Sequence, residues 1–129
     1  MAKYDEITEL IGDTPIVKID QEVTGLENIE VYAKLEYYNP FGSIKDRVGH
    51  YLIKDNIKDL KEKDKTVIES SSGNTAKALK TLTEINGLDF KTLTNRIKLD
   101  HVKDSLLVLG TDIEELPGKS ECPDPTNPD

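Results

Sequence analysis

The stretch that decides the fold reads Asn39-Pro40-Phe41-Gly42-Ser43-Ile44-Lys45-Asp46-Arg47. Asn39 is predicted to end an extended segment, because the residue before a proline is pushed out of the helical region. Gly42 permits a turn, and Ser43 and Asp46 have the spacing of a capping box at a helix start. Lys45 then lies in the first helical turn, where the helix dipole disfavours a cation and favours loss of its proton. A Schiff-base lysine needs such an environment, although a solvated surface lysine is the simpler interpretation of this stretch alone.

A second polar loop follows a short β-branched segment and reads Glu69-Ser70-Ser71-Ser72-Gly73-Asn74-Thr75. It lies between a predicted strand and a predicted helix, where unpaired backbone amides and the helix dipole attract anions. Its hydroxyl groups are hydrogen-bond donors suited to a carboxylate. Ordinary N-capping by Ser72 or Thr75 explains the same residues when the loop is considered alone.

The apolar pattern of the chain alternates strands with helices. It predicts, in order, a short helix at 3–11, strands at 14–19 and 30–37, a helix at 43–57, a strand at 66–69, a helix at 75–86, a strand at 89–94, a helix at 96–109 and a strand at 111–116. The order strand, helix, strand, helix, strand predicts a parallel sheet with right-handed crossovers and helices on its faces. The fold class is therefore α/β. The first two strands have no obvious partners within the chain.

The predicted core is mostly aliphatic, because the sequence has two Phe, five Tyr and no Trp. On the helix that follows Ser43, one stripe is expected to face inward. Its residues are Ile44, Val48, Leu52, Ile53 and Ile57. Gly87 and Gly110 are expected to end the two later helices.

Composition excludes several classes of function. The 129 residues suit one compact domain, and a net charge of −8 argues against nucleic acid or an anionic membrane as the main partner. No apolar run is long enough to span a bilayer, and the N-terminus lacks the apolar core of a signal peptide. The single cysteine, Cys122, cannot form an intramolecular disulfide, so a cytoplasmic location is expected. His50 and His101 have no metal-ligand spacing around them, and no metal is assigned.

The two loops together resemble the lysine loop and the asparagine loop of the pyridoxal-phosphate (PLP) enzymes of the cysteine synthase and cystathionine β-synthase family. Two more segments resemble that family in the same order: Leu10 to Val17 is similar to its opening segment, and Val31 to Glu36 to the strand before its lysine loop. The resemblance covers the chain from Ile7 to about Pro117. It implies the N-terminal part of a fold type II, tryptophan synthase β-like enzyme.

The resemblance also implies a domain organisation. Residues 39–116 would be the small mobile α/β domain, a three-layer parallel sheet with helices on both faces. Residues 1–38, including the first two strands, would be an incomplete part of the large domain. Residues 117–129 hold four of the six prolines and would be a Pro-rich linker or a truncated end.

The resemblance implies residue roles and a reaction. Lys45 would hold PLP covalently and then act as the base at the α-carbon of the substrate. Asn74 would hydrogen-bond the phenolic oxygen of PLP, and the loop residues Ser71, Ser72, Gly73, Asn74 and Thr75 would bind the α-carboxylate of the amino-acid substrate. The implied reaction is β-replacement on an activated serine, O-acetylserine or O-phosphoserine, by sulfide or a thiol. The implied partners are a second copy, as in a homodimer, or a missing C-terminal part.

The sequence departs from the family pattern at several positions. Asp13 stands where the family usually has Asn, and Ser70 and Ser71 stand where it has proline and threonine. Ala76 replaces a glycine, which is expected to crowd the approach to the cofactor slightly, and Asn95 to Lys98 differs from the usual segment.

The Gly-rich loop that cradles the PLP phosphate is not found in the 129 residues, so the chain alone is expected to bind PLP poorly. The alternative function is therefore a non-catalytic α/β domain. It would bind small carboxylates at Ser72 to Thr75, or pair with another subunit through Thr14–Ile19 and Val31–Leu35.

Overall fold

The computed structural model describes residues 2–71, 73–95, 97 and 99–118. The chain divides into two compact units, the first ending at Ile44 and the second beginning at Lys45. Cys122 and nearly all of the proline-rich segment lie outside the described residues. The assignment of residues 1–38 to a larger domain stays a prediction.

The first unit is built around a two-stranded antiparallel sheet. Its elements are a 3₁₀ helix at Ile7–Leu10, strand β1 at Ile16–Ile19, helix α1 at Gln21–Thr24, strand β2 at Val31–Lys34 and a 3₁₀ helix at Glu36–Tyr38. Ile16 lies opposite Lys34, and Ile19 lies opposite Val31. The expectation that these two strands lack partners in the chain is wrong, because they pair with each other.

The reversal between β1 and β2 explains that pairing. A side-chain oxygen of Asp20 accepts a hydrogen bond from the backbone amide of Glu22 at 3.0 Å and caps α1. Gly25 then ends α1 in the left-handed conformation with φ of 64°. This single helical turn brings the chain back beside β1, where the sequence alone predicted only a polar turn.

The second unit is a parallel α/β unit. Its elements are helix α2 at Lys45–Glu62, strand β3 at Val67–Glu69, helix α3 at Asn74–Ile85, strand β4 at Phe90–Asn95, helix α4 at Asp100–Val108 and strand β5 at Asp112–Leu116. The strands lie in the order β3-β4-β5, and both neighbouring pairs are parallel. Helix α3 packs against β4, α2 and α4. The predicted α/β class with a parallel sheet is confirmed.

Helix α3 forms the centre of the core in the second unit. Its buried side chains include Ala76, Ala78, Leu79 and Leu82, and the opposing residues include Ile53, Phe90 and Leu106. Gly87 and Gly110, with φ of 66° and 67°, follow the ends of α3 and α4 as predicted. The core is mostly aliphatic, as the composition indicated.

The stripe predicted to face inward from α2 is only partly correct. Ile53 is buried, but Ile44, Val48 and Leu52 are each about half exposed. The buried side of α2 instead carries Asp46, Gly49 and Ile53. Gly49 belongs to that side because the small residue permits close packing against α3, which a hydrophobicity pattern does not register.

Helix α2 is also longer than predicted. It continues through a charged segment to Glu62, beyond the predicted end at residue 57. Ion pairs at i,i+4 spacing join Lys58 to Glu62 and Lys63 to Asp59, which supports the helical tail. Among the described helices, none combines the length and apolar character needed to cross a membrane.

Candidate functional site

Lys45 occupies the start of α2, three residues after Gly42. Gly42 has φ of 93°, so this turn uses a conformation that favours glycine. The Lys45 side chain is exposed, whereas that of the next residue, Asp46, is completely buried. A carboxylate in the first turn of a helix is stabilised by the helix dipole, which supports a structural role for Asp46. The turn therefore leaves the Lys45 amine accessible.

The residue that begins the lysine loop is a buried hydrogen-bonding centre of the first unit. Asn39 is 3% exposed. Its Nδ2 donates to the carbonyl oxygen and to Oε2 of Glu36, each at 2.8 Å, and its Oδ1 accepts from the backbone amide of Gly12 at 3.0 Å. Thr14 donates to Glu36 Oε1 at 3.2 Å. Asn39 thus joins the opening segment, the segment after β2 and the start of the lysine loop.

The asparagine loop places its residues around the start of α3. Gly73 is the N-cap of α3, and Asn74 is its first residue, with an exposed side chain. Glycine has no side chain, so Gly73 cannot accept a hydrogen bond from the first backbone amides of α3 through a side chain. Those amides point outward from the helix start. A β-carbon built at Gly73 would meet no atom within 4 Å. The helix start is therefore open to a small anion.

The remaining loop residues have different surroundings. Ser71 and Thr75 are half-buried, and the backbone amide of Gly73 approaches Ser71 Oγ at 3.4 Å. Ser72 lies outside the described residues. Ala76 is completely buried. Its methyl group packs inside the second unit, so the expected crowding of the cofactor by Ala76 finds no support.

The side chain of Thr92 in β4 contacts the backbone of the asparagine loop. Its hydroxyl lies 3.1 Å from the carbonyl oxygen of Glu69 and also within hydrogen-bonding contact of the carbonyl oxygen of Ser71. A hydroxyl has one proton, so it donates to one of these carbonyls at a time. Thr92 is completely buried. The loop is therefore anchored to the middle strand of the sheet at Glu69 and Ser71.

A cavity of about 410 Å³ opens beside Asn74. Its lining residues are Gly73, Asn74, Lys77, His101, Val102 and Ser105. Small-molecule sites have volumes of a few hundred cubic ångströms, so the cavity is large enough for an amino acid. Lys77 and His101 place two basic side chains near the helix start, in a chain whose net charge is negative. These groups favour an anionic ligand.

Packing between α2 and α3 brings the helix starts at Lys45 and Asn74 into one region of the second unit. A β-carbon at Gly49 would lie 3.5 Å from Ala78 Cβ and 3.0 Å from Leu82 Cδ1. Gly49 is one helical turn after Lys45, and Ala78 is one turn after Asn74. The α-carbons of Lys45 and Asn74 therefore lie no more than about 19 Å apart.

Three features of the site were missed by sequence reasoning. Asn39 was treated only as the end of an extended segment, Thr92 only as part of a strand, and Lys77 was not considered. Phe90, Thr92 and Thr94 are every second residue of β4 and so share one face of the strand. This alternation was the sequence signal that could have indicated a buried Thr92. His101 is exposed on its helix as predicted, but it also lines the cavity.

The shifted pKa values belong to surface groups outside the predicted site. The Lys18 ammonium and the Tyr32 hydroxyl lower the pKa of Glu30, and Lys63 and Lys65 lower that of Asp59. Hydrogen bonding and charge from Glu114 raise the pKa of Lys91. Desolvation is the main cause that raises the pKa of Tyr37, and the neighbouring Tyr38 raises it further. The shifts of Glu30, Asp59 and Lys91 report local ion pairs and hydrogen bonds.

The side chains at the two helix starts have chemistry that PLP can use. Within the described ranges, no three His, Cys, Asp or Glu side chains are grouped so that they could hold a metal. The accessible amine of Lys45 can form a covalent bond with an aldehyde. The exposed amide of Asn74 and the open helix start at Gly73 can bind an oxygen atom and a carboxylate.

Comparison with known proteins agrees with this chemistry. The family described as pyridoxal-phosphate dependent enzyme matches residues 7–125. An O-acetylserine dependent cystathionine beta-synthase of Bacillus subtilis is 46% identical over 76 residues, which are 58% of this chain and 24% of that protein. A cysteine synthase of a Flavobacterium species is 42% identical over 86 residues, or 66% of this chain and 27% of that protein.

The fold agrees as well. The crystal structure of O-acetylserine dependent cystathionine beta-synthase from Helicobacter pylori has a TM-score of 0.79 and 32% identity, and the match covers 91% of this chain and 39% of that one. The chain spans about a quarter of the length of the curated relatives it matches. From the family match along most of its length, the chain belongs to the pyridoxal-phosphate dependent enzymes.

Proposed function

We propose that this chain carries the lysine and substrate-carboxylate parts of a PLP-dependent β-replacement site. The substrate would be an activated serine, O-acetylserine or O-phosphoserine, and the attacking group would be sulfide or a thiol. The observation that carries the proposal is the joint presence, in one unit, of an accessible Lys45 at the start of α2 and an open α3 start at Gly73 and Asn74. The O-acetylserine dependent relatives support the same substrate class.

The proposed roles follow from the chemistry of the side chains. Lys45 would attach the cofactor and accept the α-proton of the substrate at Nζ. The amides at the start of α3, with the hydroxyls of Ser71 and Thr75 and with Ser72, would bind the substrate carboxylate. Asn74 would donate to the phenolic oxygen of PLP. When bound, PLP supplies the electron sink for the carbanion at the α-carbon.

The isolated 129-residue chain is expected to lack turnover, because the sequence offers no Gly-rich loop for the cofactor phosphate. Association with a C-terminal part of the fold, or with a second copy, is part of the proposal. A cytoplasmic location stays a prediction from the sequence.

The carboxylate part of the proposal is tested by titrating the ¹⁵N-labelled chain with O-acetyl-L-serine. The amide resonances of Gly73, Asn74 and Thr75 should shift and saturate. O-acetyl-L-serinamide is the matched control, because it lacks only the carboxylate, and it should leave these resonances in place. Equal shifts with both compounds, or shifts confined to other parts of the chain, would contradict the proposed carboxylate site.

A second candidate function is a non-catalytic domain that binds small carboxylates at the same helix start. The open N-cap at Gly73 and the basic residues Lys77 and His101 favour it, because neither feature requires a cofactor. Native mass spectrometry after incubation with PLP separates the two candidates. Bound PLP in a one-to-one ratio favours the enzyme, and a stable protein that stays free of PLP even at a large excess of the cofactor favours the carboxylate-binding domain.

A further inference from the structure

The cavity beside Asn74 differs in charge from other cavities of the chain. Its basic lining residues are Lys77 on α3 and His101 on α4, and no acidic side chain lines it among the described residues. Three other cavities have as many acidic as basic lining residues: Arg47 with Asp55, Lys18 with Asp20, and Lys61 and Lys65 with Asp64 and Asp89. The chain has 25 acidic and 17 basic residues, so a cavity lined only by basic groups indicates an anionic ligand.

The charge of Lys77 is not neutralised by its own helix. The residues three and four positions away, which are its neighbours on the helix surface, carry no acidic group: they are Gly73, Asn74, Lys80 and Thr81. Lys77 forms no ion pair with another described residue, whereas Lys80 pairs with Glu84. The Lys77 side chain is half-buried. Its ammonium has lost part of its water without gaining a counter-ion, so a bound anion would stabilise it.

Helix α4 forms the opposite wall of the cavity. His101 and Ser105 are four residues apart and both line the cavity. An imidazole donates an N–H in either protonation state, and a serine hydroxyl donates as well. Asp100 and Asp104 are exposed on the same helix, but neither belongs to the lining. This wall therefore supplies hydrogen-bond donors and no carboxylate.

Donors on two walls suit a phosphate group better than a carboxylate. A carboxylate has one charge and two oxygens in one plane, and the amides at the start of α3 can bind it alone. A phosphate group carries up to two charges and has three acceptor oxygens that point in different directions. It can accept hydrogen bonds from Lys77, from His101 and from the helix start at Gly73 at the same time.

We propose that the cavity between α3 and α4 binds the phosphate group of a small molecule through Lys77 and His101. These two residues select a doubly charged anion over a carboxylate, and neither has a part in the reaction proposed above. The site needs no PLP and does not depend on Lys45. Two kinds of ligand share this chemistry: free inorganic phosphate, and a phosphate monoester such as O-phospho-L-serine.

The test is a titration of the full ¹⁵N-labelled chain without PLP, at about pH 8 and constant ionic strength, with each anion up to about 20 mM. The amide resonances of Lys77, His101 and Val102 should shift and saturate with inorganic phosphate. Acetate should need at least about fivefold higher concentration for the same shift. Tighter binding of O-phospho-L-serine than of inorganic phosphate would identify the ligand as a monoester, and equal binding would identify the free anion.

Variants assign the binding to the two side chains. Lys77→Gln should weaken phosphate binding at least about tenfold, because it removes a charged donor, whereas Lys77→Arg should stay within about threefold of the wild type. His101→Ala should weaken it about threefold. The matched controls are Lys103→Gln on α4 and His50→Ala on α2, which make the same changes outside the cavity and should have no effect.

Three results would overturn the proposal: no saturable phosphate binding in the cavity, equal affinities for phosphate and acetate, or phosphate binding that Lys77→Gln and His101→Ala leave unchanged. O-acetyl-L-serine, added to a separate sample, reports on the proposed reaction site. Shifts at Gly73 with that compound but no phosphate binding would reject the phosphate site alone. Phosphate binding without shifts from O-acetyl-L-serine would reject the carboxylate site alone.

Discussion

At the scale of single residues, the buried hydroxyl of Thr92 anchors the asparagine loop to the sheet. Thr92 contacts the carbonyl oxygens of Glu69 and Ser71 from the middle strand of the sheet. Thr94 lies on the same face of β4 and is also buried. Its hydroxyl has no hydrogen-bond partner among the described residues. Two adjacent buried threonines of the same strand therefore have different roles, and only Thr92 supports the loop.

Replacing Thr92 with valine keeps the shape of the side chain and removes the hydroxyl. We expect the free energy of unfolding to fall by about 1 kcal/mol, because a part-buried carbonyl loses its donor. Amide exchange at Gly73 and Asn74 should become faster. Thr92→Ser keeps the hydroxyl and should retain the slow exchange. Hydrogen exchange followed by NMR checks this, and unchanged protection in Thr92→Val would show that the loop does not depend on this hydroxyl.

The same scale applies to Asn39 in the first unit. Asn39→Ala removes the acceptor of the Gly12 amide and the donor to Glu36, so the Gly12 amide should exchange faster with solvent. Asn56→Ala, at an exposed position of α2, is the control and should leave Gly12 unchanged. Protection of the Gly12 amide in Asn39→Ala equal to that in the wild type would argue against the central role of Asn39.

At the scale of elements, the contact between α2 and α3 depends on the absence of a side chain at Gly49. Leu82 and Ala78, which Gly49 faces, are both fully buried and cannot move aside freely. The period of the apolar residues predicted α2 and its approximate start. It did not predict which side of α2 faces inward, because glycine carries no hydrophobic signal and both sides of the helix hold apolar residues.

Gly49→Val should therefore lower the free energy of unfolding by about 1–3 kcal/mol through overpacking. Gly49→Ala should cost less, because alanine favours the helix by about 1 kcal/mol relative to glycine and offsets part of the crowding. Urea unfolding of the second unit, followed by circular dichroism, measures both. A valine variant as stable as the wild type would mean that α2 and α3 are not closely packed here.

At the scale of the whole molecule, the alternation of predicted strands and helices predicted the parallel sheet. The strands β1 and β2 were both predicted, but their pairing was not, because pairing across a connection that contains a short helix leaves no local signal. The anchors of the site were also missed, since a buried hydrogen bond between distant residues is a property of the folded chain. The two loop motifs, in contrast, were visible because each is continuous in sequence.

The pH dependence of stability also belongs to the whole molecule. The pKa of Asp59 is lowered in the folded state, so its stabilising effect is present above the ordinary aspartate value of about 3.9 and is lost as the pH falls through the folded pKa. The pKa of Lys91 is raised, so its effect is present below about 10.4 and is lost as the pH rises through the folded pKa. Both side chains are partly exposed to solvent, which screens their ion pairs, so each effect is small.

Urea unfolding between about pH 3 and pH 11 should therefore give a plateau with losses at both ends. Asp59→Asn should reduce the loss on the acid side, and Lys91→Gln should reduce it on the alkaline side. Asp104→Asn, at a residue without an ion pair among the described residues, is the control. Equal slopes in the wild type and in Asp59→Asn would contradict the assigned ion pairs.

The most direct test of the central claim is the reaction of the full chain with PLP. The mixture is reduced with borohydride, which fixes PLP on any amine it has bound, and the modified peptides are mapped by mass spectrometry. Lys54→Arg, at an exposed position on the same helix, is the control for Lys45→Arg. The account predicts label concentrated on Lys45, lost in Lys45→Arg and retained in Lys54→Arg. Because the chain alone is expected to bind PLP poorly, the cofactor is used in large excess; label scattered over many lysines with no preference for Lys45 would contradict a site organised around Lys45.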